Sequence, residues 1–379
     1  MSLGAALRSY SLGAMQAGQP TASQRAWRLV LTAAAAGYRA GVGVRAWAFA
    51  SGLRGIRRLP CPVICVGNLT VGGSGKTPCT IALARWFRAR GRAVGILLRG
   101  YGGRESGVTV AADDQGVRAR WESVGDEAIL LARRLPGVPV VVGADRFRAG
   151  QEALRRFRPD VLLLDDGFQH RQLHRDLDLV MVDATDPFGG GWLLPRGRLR
   201  EPVVGLRRAH AVILSRTDQA PDLASLRRCL EQIVPGAPQI LTRHRPSRLA
   251  DLGDGAEHPL ESLAGRRVLA VCGIANPGGL HRTLTDLGAM LVGTAVFPDH
   301  HPYGPADLLR VNRMARDGGA ELVVTTEKDA IRMPAPQAVP GEAGTPGRPM
   351  LVLQVELEVT EGAESLDRLL MGCGGGGRG

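Results

Sequence analysis

At 379 residues, with 44% hydrophobic and 22% charged content, the chain has enough apolar material for two cores of ordinary size, which excludes disorder as its default state. Its formal charge of +12 points to a polyanionic partner: a nucleic acid, an anionic membrane surface or a phosphorylated substrate, and charge alone selects none of them. The six cysteines, Cys61, Cys65, Cys79, Cys229, Cys272 and Cys373, form no Cys-x-x-Cys pair, which argues for reduced thiols in a cytoplasmic compartment and against a sulfur-bound metal.

The first element, "AWRLVLTAAAAGYRAGVGVRAWAFASGL" from Ala26, is apolar but interrupted, and its longest uncharged run, Leu29 to Tyr38, is far short of the ~20 residues that span a bilayer. Wound as a helix, it gathers Trp27, Leu31, Tyr38, Val42 and Phe49 on one side and Arg28, Arg39 and Arg54 on another. That is the pattern of a helix lying in a membrane interface. Arg45 on the apolar side and Gly37, Gly41 and Gly43 oppose it, so a helix packed on the protein's own core is an equal alternative. The segment lacks the compact core and cleavage site of a secretory signal.

After "RRLP" the runs "PVICVGN", "AVGILLRG", "VPVVVG", "DVLLLDD", "LDLVMVD" and "HAVILSRTD" alternate with helical stretches, which predicts a mostly parallel sheet covered by helices. The pattern breaks in "PGAPQILTRHRPSRLADLGDGAEHPLESL". It resumes with "RRVLAVCGIANPGG", "AMLVGTAVF" and "AELVVTTEKDA", a second, smaller α/β unit. The expected division is an N-terminal segment over 1–58, a core over 59–240 and a smaller domain over 241–379, in which "MPAPQAVPGEAGTPGRP" is a loop and "GCGGGGRG" a flexible tail.

Chemistry enters at "GNLTVGGSGKTP", residues 67 to 78, between a predicted strand and an amphipathic helix. Gly72, Gly73, Ser74 and Gly75 can turn backbone N–H groups toward phosphate oxygens, Lys76 can reach the terminal phosphates, and Thr77 is placed to ligate Mg²⁺. Thr70 stands where the usual phosphate-loop pattern has its first glycine, but removes none of these donors. Of the 48 basic residues other than histidine only Lys76 and Lys328 are lysines, so each marks a site that needs a compact point charge rather than a planar fork. "DVLLLDDGFQH" then delivers Asp165 and Asp166 to a strand end, where either carboxylate could complete the Mg²⁺ site. These features define a nucleotide hydrolase or phosphotransferase.

Further stretches, "RGYGGR" (99–104), "VGDEA" (124–128), "GADR" (143–146), "DDGFQHRQLHRD" (165–176), "LLPRGRLREP" (193–202), "FPDHHPYG" (297–304) and "TTEKDA" (325–330), complete the pattern. Together with the relaxed loop, and in this order from about Val63 to Arg332, the chain resembles the tetraacyldisaccharide 4'-kinase family, the lipid A 4'-kinases of Gram-negative bacteria. The resemblance implies a P-loop α/β fold in two domains facing a cleft, with an N-terminal membrane-associating helix. It implies transfer of the ATP γ-phosphate, with Mg²⁺, to the 4'-hydroxyl of a tetraacylated glucosamine disaccharide 1-phosphate on the cytoplasmic face of the inner membrane. By the same resemblance Asp126 is the catalytic carboxylate, with Glu127 near the metal, and His300 supports Asp126. Lys76 neutralises the phosphates, Arg146, His170 and Arg200 bind the acceptor or steady phosphate, and Lys328 lies in a nucleotide-site turn. With Asp126 in the range 59–240 and His300 in 241–379, the pair is expected to meet only when the cleft closes.

Two other classes fit less well. A guanine-selecting Asn-Lys-x-Asp is not matched by "TTEKDA", and an aromatic content of 4% gives little material for base stacking, so no nucleic-acid partner is expected.

Overall fold

The computed structural model describes residues 22–103, 107–274, 276–334 and 348–374. Residues 1–21 of the N-terminal segment, Arg104 of "RGYGGR", most of the proline-rich loop and the terminal glycines therefore lie outside the described residues. The chain forms two units, both discontinuous in sequence: Met1–Arg99, Val138–Arg243 and Leu357–Gly379 make the first, Gly100–Gly137 and His244–Glu356 the second. This differs from the division expected at residue 240, because 38 residues following Arg99, Gly100–Gly137, belong with the later half of the chain.

The first unit is built on parallel strands in the order Gln239–Asp251, Ala211–Ser215, Leu177–Asp183, Val63–Asn68, Val161–Asp165, Val94–Leu98, Val140–Gly143. Val63–Asn68, Val94–Leu98, Val161–Asp165 and Ala211–Ser215 are buried along their whole length, which is why they read as unbroken apolar runs rather than as alternation. Helix Lys76–Arg88 buries Cys79, Thr80, Leu83, Ala84 and Phe87, spaced three and four apart, as one stripe. Helix Arg146–Phe157 starts at Asp145, whose carboxylate accepts from Phe147 N at 3.0 Å and Arg148 N at 3.2 Å and caps two free amides.

The segment forms a helix, Ala22–Ala50, one side of which contacts the protein. The side carrying Ala35 and Phe49 is buried, Tyr38 Oη donates to Arg200 O at 2.9 Å, and Arg45 Nη2 donates to Gln169 O at 3.0 Å. Arg45, which had counted against an apolar face, is thus a hydrogen-bond donor to the protein. Leu29, Val30, Val44 and Trp47 are exposed, as is Trp27. Of the face expected to meet lipid, Phe49 is buried and Leu31 and Val42 are half-buried, while Trp27 and Tyr38 stay exposed. No helix among the described residues is long and apolar enough to cross a membrane.

In the second unit Met290–Val296, Arg267–Cys272, Leu322–Thr326 and Met350–Glu361 are parallel neighbours in that order. Val268, Ala270 and Cys272 face one core with Leu284 and Val324, while Leu269 and Val271 face another with Phe297, Leu308 and Val311, the period of two that a doubly covered strand requires. Two short antiparallel pairs complete it, Val108–Asp113 with Gly116–Val117 and the end of Gln239–Asp251 with Glu257–His258. The stretch that broke the sequence pattern therefore contains the strand Gln239–Asp251, and a further long strand, Met350–Glu361, follows the proline-rich segment. The chain passes between the units within these two strands.

Gly67 shows how tightly the first unit is built around its central strand. A Cβ there would lie 2.5 Å from Phe168 Cβ and 2.8 Å from Phe168 N. Gly67→Ala should cost about 1–3 kcal/mol of stability, the usual range for overpacking, measurable as a lower urea midpoint with an unchanged slope.

Candidate active site

Strand Val63–Asn68 feeds the glycine loop directly. Thr70 forms an isolated antiparallel bridge with Leu199, and Val71 N donates to Arg198 O at 2.8 Å, so the backbone is extended where a glycine turn is usual. That explains why a β-branched residue is accepted there. Gly75 takes φ +86° immediately before Lys76 opens the helix, a conformation glycine adopts without Cβ strain. The loop is braced from the neighbouring strands: Asn68 Nδ2 donates to Ser74 Oγ at 2.8 Å, Ser215 Oγ donates to Ser74 O at 3.0 Å, and Arg216 Nη1 donates to Gly73 O at 3.1 Å while pairing with Asp183. Gly72, Gly73, Ser74, Gly75, Lys76 and Thr77 thus form one continuous turn at a helix N-terminus, where amides and the helix dipole favour phosphate.

The two acidic residues after Leu164 take separate roles. Parallel register sets Val66 against Asp165, so Asp165 ends its strand beside the loop strand. It is buried and accepts from Thr80 Oγ1 at 3.2 Å. Asp166 adopts φ +52°, uncommon for a non-glycine residue, and lies 3.6 Å from Lys76 Nζ. Arg200 Nη1 donates to both its oxygens, at 2.7 and 2.9 Å. Burial raises its pKa, but Lys76 and Arg200 outweigh this and hold the carboxyl below its ordinary value. Among the described residues no three His, Cys, Asp or Glu side chains are grouped to hold a metal by themselves. A hard, water-retaining cation needs less: the Thr77 hydroxyl and an Asp165 or Asp166 carboxylate are oxygen donors of the type Mg²⁺ takes alongside phosphates.

Arg146 and His170 lie in the same unit. Arg146 is buried, its Nη1 donates to Ala144 O at 2.9 Å, and its Nε has no hydrogen-bond partner. Burial and the nearby Arg99 push its guanidinium down to about 10. His170 Nε2 is likewise buried without a hydrogen-bond partner, and burial followed by the Arg146 charge pushes the imidazole down to about 4. The unsatisfied Arg146 Nε is an obligate donor, so an anion there would relieve a real cost.

The second unit holds the other predicted residues. Gly125, at φ +90°, precedes helix Asp126–Arg134, and a Cβ on it would lie 2.6 Å from Tyr101 O, so "RGYGG" packs against "VGDEA". Asp126 is 2% exposed, and its Oδ2 lies 3.0 Å from His300 Nδ1 and 3.2 Å from Arg332 Nε. Burial raises its pKa, while the His300 hydrogen bond and the Lys328 charge lower it, with a net shift downward. Lys328 Nζ donates to Glu127 Oε1 at 3.3 Å and lies 3.5 Å from His300 Nε2 and 3.9 Å from Asp299. Burial works against its charge, but Glu127, Asp126 and Asp299 prevail and raise its pKa. His300 itself sits at φ +60° with its N donating to Asp299 Oδ1 at 3.1 Å.

Asp126, Glu127, His300 and Lys328 therefore share one unit, and Lys76, Thr77, Asp165, Asp166, Arg146, His170 and Arg200 share the other. The expectation that Asp126 and His300 meet only across a domain boundary is corrected: residues 100–137 fold with His300, and the pair is already formed. Both lysines that stood out in the sequence lie against carboxylates, as compact point charges. Sequence reasoning missed Arg216 and Arg332, because an arginine among so many carries no signal, and with Arg216 its partner Asp183.

A parallel sheet with a strand–glycine loop–helix unit and an acidic neighbouring strand end defines a P-loop phosphotransferase. The family model described as tetraacyldisaccharide-1-P 4'-kinase matches residues 27–372. A "Tetraacyldisaccharide 4'-kinase" of Anaeromyxobacter dehalogenans is 43% identical over 341 residues, covering 90% of this chain and 89% of the relative. One of Pelobacter propionicus is 44% identical over 314 residues, 83% of each. A crystal structure of the "apo" form of LpxK from Aquifex aeolicus in complex with ATP superposes with a TM-score of 0.72 at 31% identity, over 92% of this chain and 99% of that one. The chain belongs to the tetraacyldisaccharide-1-P 4'-kinase family, and it is a kinase that uses ATP.

His170 supplies a pH test. Its pKa falls from the ordinary 6.5 to about 4 on folding, so the unfolded chain binds the extra proton between these values. Its contribution to stability is complete above pH 6.5 and is lost as pH falls toward 4. His170→Gln should flatten the decline of the melting temperature across that window relative to the parent protein, and an unchanged slope would show that the imidazole is not held neutral.

Proposed function

We propose that the chain transfers the γ-phosphate of ATP to the 4'-hydroxyl of a tetraacylated glucosamine disaccharide 1-phosphate, a step of lipid A biosynthesis, at an anionic membrane surface. The observation that carries the chemical step is the placement of His300. Nδ1 faces the buried Asp126 carboxylate at 3.0 Å, whereas Nε2 faces the Lys328 ammonium, which offers only donors. The tautomer this favours has the proton on Nδ1 and the lone pair on Nε2. Asp126 is buried, hydrogen-bonded by His300, ion-paired with Arg332 and held low in pKa, so it is the poorer base. The imidazole, 27% exposed at its side chain, is the group open to a substrate hydroxyl.

In this reading Nε2 takes the hydroxyl proton as the oxygen bonds to the γ-phosphorus and the bond to the β–γ bridging oxygen breaks, leaving ADP. Asp126 orients the ring and stabilises the imidazolium that forms. Lys76 and the turn from Gly72 to Gly75 bind the phosphates. Thr77 with Asp165 or Asp166 would hold Mg²⁺, which neutralises phosphate charge when bound. Glu127, paired with Lys328, keeps that ammonium charged. Arg146, His170 and Arg200 offer the acceptor's own phosphate a site whose donors are otherwise unsatisfied or shared.

Labelled ATP, Mg²⁺ and the disaccharide 1-phosphate should yield a bis-phosphorylated lipid. Asp126→Ala and His300→Ala should each lower kcat by at least ~10²-fold with a smaller change in the KM for ATP, and the double variant should be little worse than the poorer single one. A His300→Ala enzyme with the parent kcat would remove the imidazole from the mechanism.

The membrane part of the reading is supported by the exposed set Leu29, Val30, Val44 and Trp47 beside Arg28 and Arg39, on a helix too polar to span. Val30→Glu with Trp47→Glu should move the protein from sedimenting with phosphatidylglycerol vesicles to the supernatant at an unchanged melting temperature. Continued sedimentation would assign the membrane contact elsewhere.

A further inference from the structure

Behind the Asp126–His300 pair lies a buried network that the proposed chemistry does not use. Arg332, 1% exposed at its side chain, follows the "TTEKDA" turn. Its Nε lies 3.2 Å from Asp126 Oδ2 and donates to Lys328 O, also at 3.2 Å. Its Nη1 donates to His301 O at 3.2 Å, and its Nη2 to Gly273 O at 3.2 Å and to Asp329 Oδ1 at 2.6 Å. Asp329 is fully buried and saturated: it also accepts from Gly273 N at 2.9 Å, Tyr303 Oη at 2.9 Å and Thr326 Oγ1 at 2.6 Å.

We propose that Arg332 is a positioning residue for phosphoryl transfer, one guanidinium that ion-pairs with Asp126, holds the backbone carbonyl beside His300 and is locked in place by Asp329. The argument is geometric. One edge of the fork holds the carboxylate oxygen that also faces His300 Nδ1, and a second nitrogen holds the carbonyl of the residue next to His300, whose backbone sits at a strained positive φ. Such a conformation persists only where surrounding contacts determine it. Asp126 Oδ1 has no hydrogen-bond partner, so Arg332 and His300 are the groups that fix the carboxylate's direction. A lysine has no second nitrogen with which to span carboxylate and carbonyl at once.

The inference rests on the reading that His300 and Asp126 act on the acceptor hydroxyl, and the experiment separates the two. Arg332→Gln should lower kcat at least tenfold while the KM for ATP changes less than threefold, and Arg332→Lys should recover part of the loss. In a His300→Ala background, Arg332→Gln should cost little more, because the pair it positions is already gone. Removing one partner of a buried ion pair strands the other charge. If the single variant fails to fold, the charge-balanced Arg332→Gln/Asp329→Asn variant is carried through the same cycle. Full kcat in the folded Arg332 variant, or losses that multiply in the His300→Ala background, overturns the inference. Parent-level kcat in His300→Ala alone overturns the reading beneath it.

Discussion

The site of the first unit depends on one backbone register: Val63–Asn68 lies parallel between Val161–Asp165 and Leu177–Asp183, with Val66 opposite Asp165 and Asn68 opposite Met181. Parallel pairing brings all three carboxyl ends to the same edge of the sheet. The glycine loop, Asp165 and Asp166, and the Asp183 that anchors Arg216 all emerge there as a result. A shift by one residue would turn Asp165 to the opposite face and remove its bond to Thr80. Complete burial of the strands makes that register costly to change.

Charge is distributed in the two units by different rules. Around the loop, positive groups exceed their partners: Lys76 and Arg200 share Asp166, and Arg146 keeps a buried nitrogen unbonded. Around Asp126 carboxylates are in excess, but the charges are partnered, with Lys328 and Arg332 set among Asp126, Glu127, Asp299 and Asp329. The first arrangement favours an incoming polyanion. The second favours a fixed geometry, since partnered charges in a dry interior resist displacement.

What could be read from the sequence follows from range. The buried strands appear as apolar runs, and the loop from Gly72 to Thr77 as a local spacing, since both depend on neighbours along the chain. Gln239–Asp251 and Met350–Glu361 escaped notice because each is only partly buried and carries charged residues such as Arg243, Arg245, Glu356 and Glu358, which pair strand to strand. The N-terminal helix has apolar residues on more than one side, and only the hydrogen bonds of Tyr38 and Arg45 decide which side faces inward. Placement of Asp126 beside His300 depends on contacts 174 residues apart in sequence, beyond any periodicity.

The interleaving of the two units bears on how the protein is made. The first unit takes its final described pieces from 357–374, where Asp367 accepts from Trp86 Nε1 at 2.7 Å and Glu361 pairs with Arg227. Those residues are synthesised after the whole of the second unit. A ribosome releasing the chain from its N-terminus therefore finishes the later unit's sequence before the earlier unit can close. Until the last strand, Met350–Glu361, arrives, Gln239–Asp251 is an open edge of the sheet.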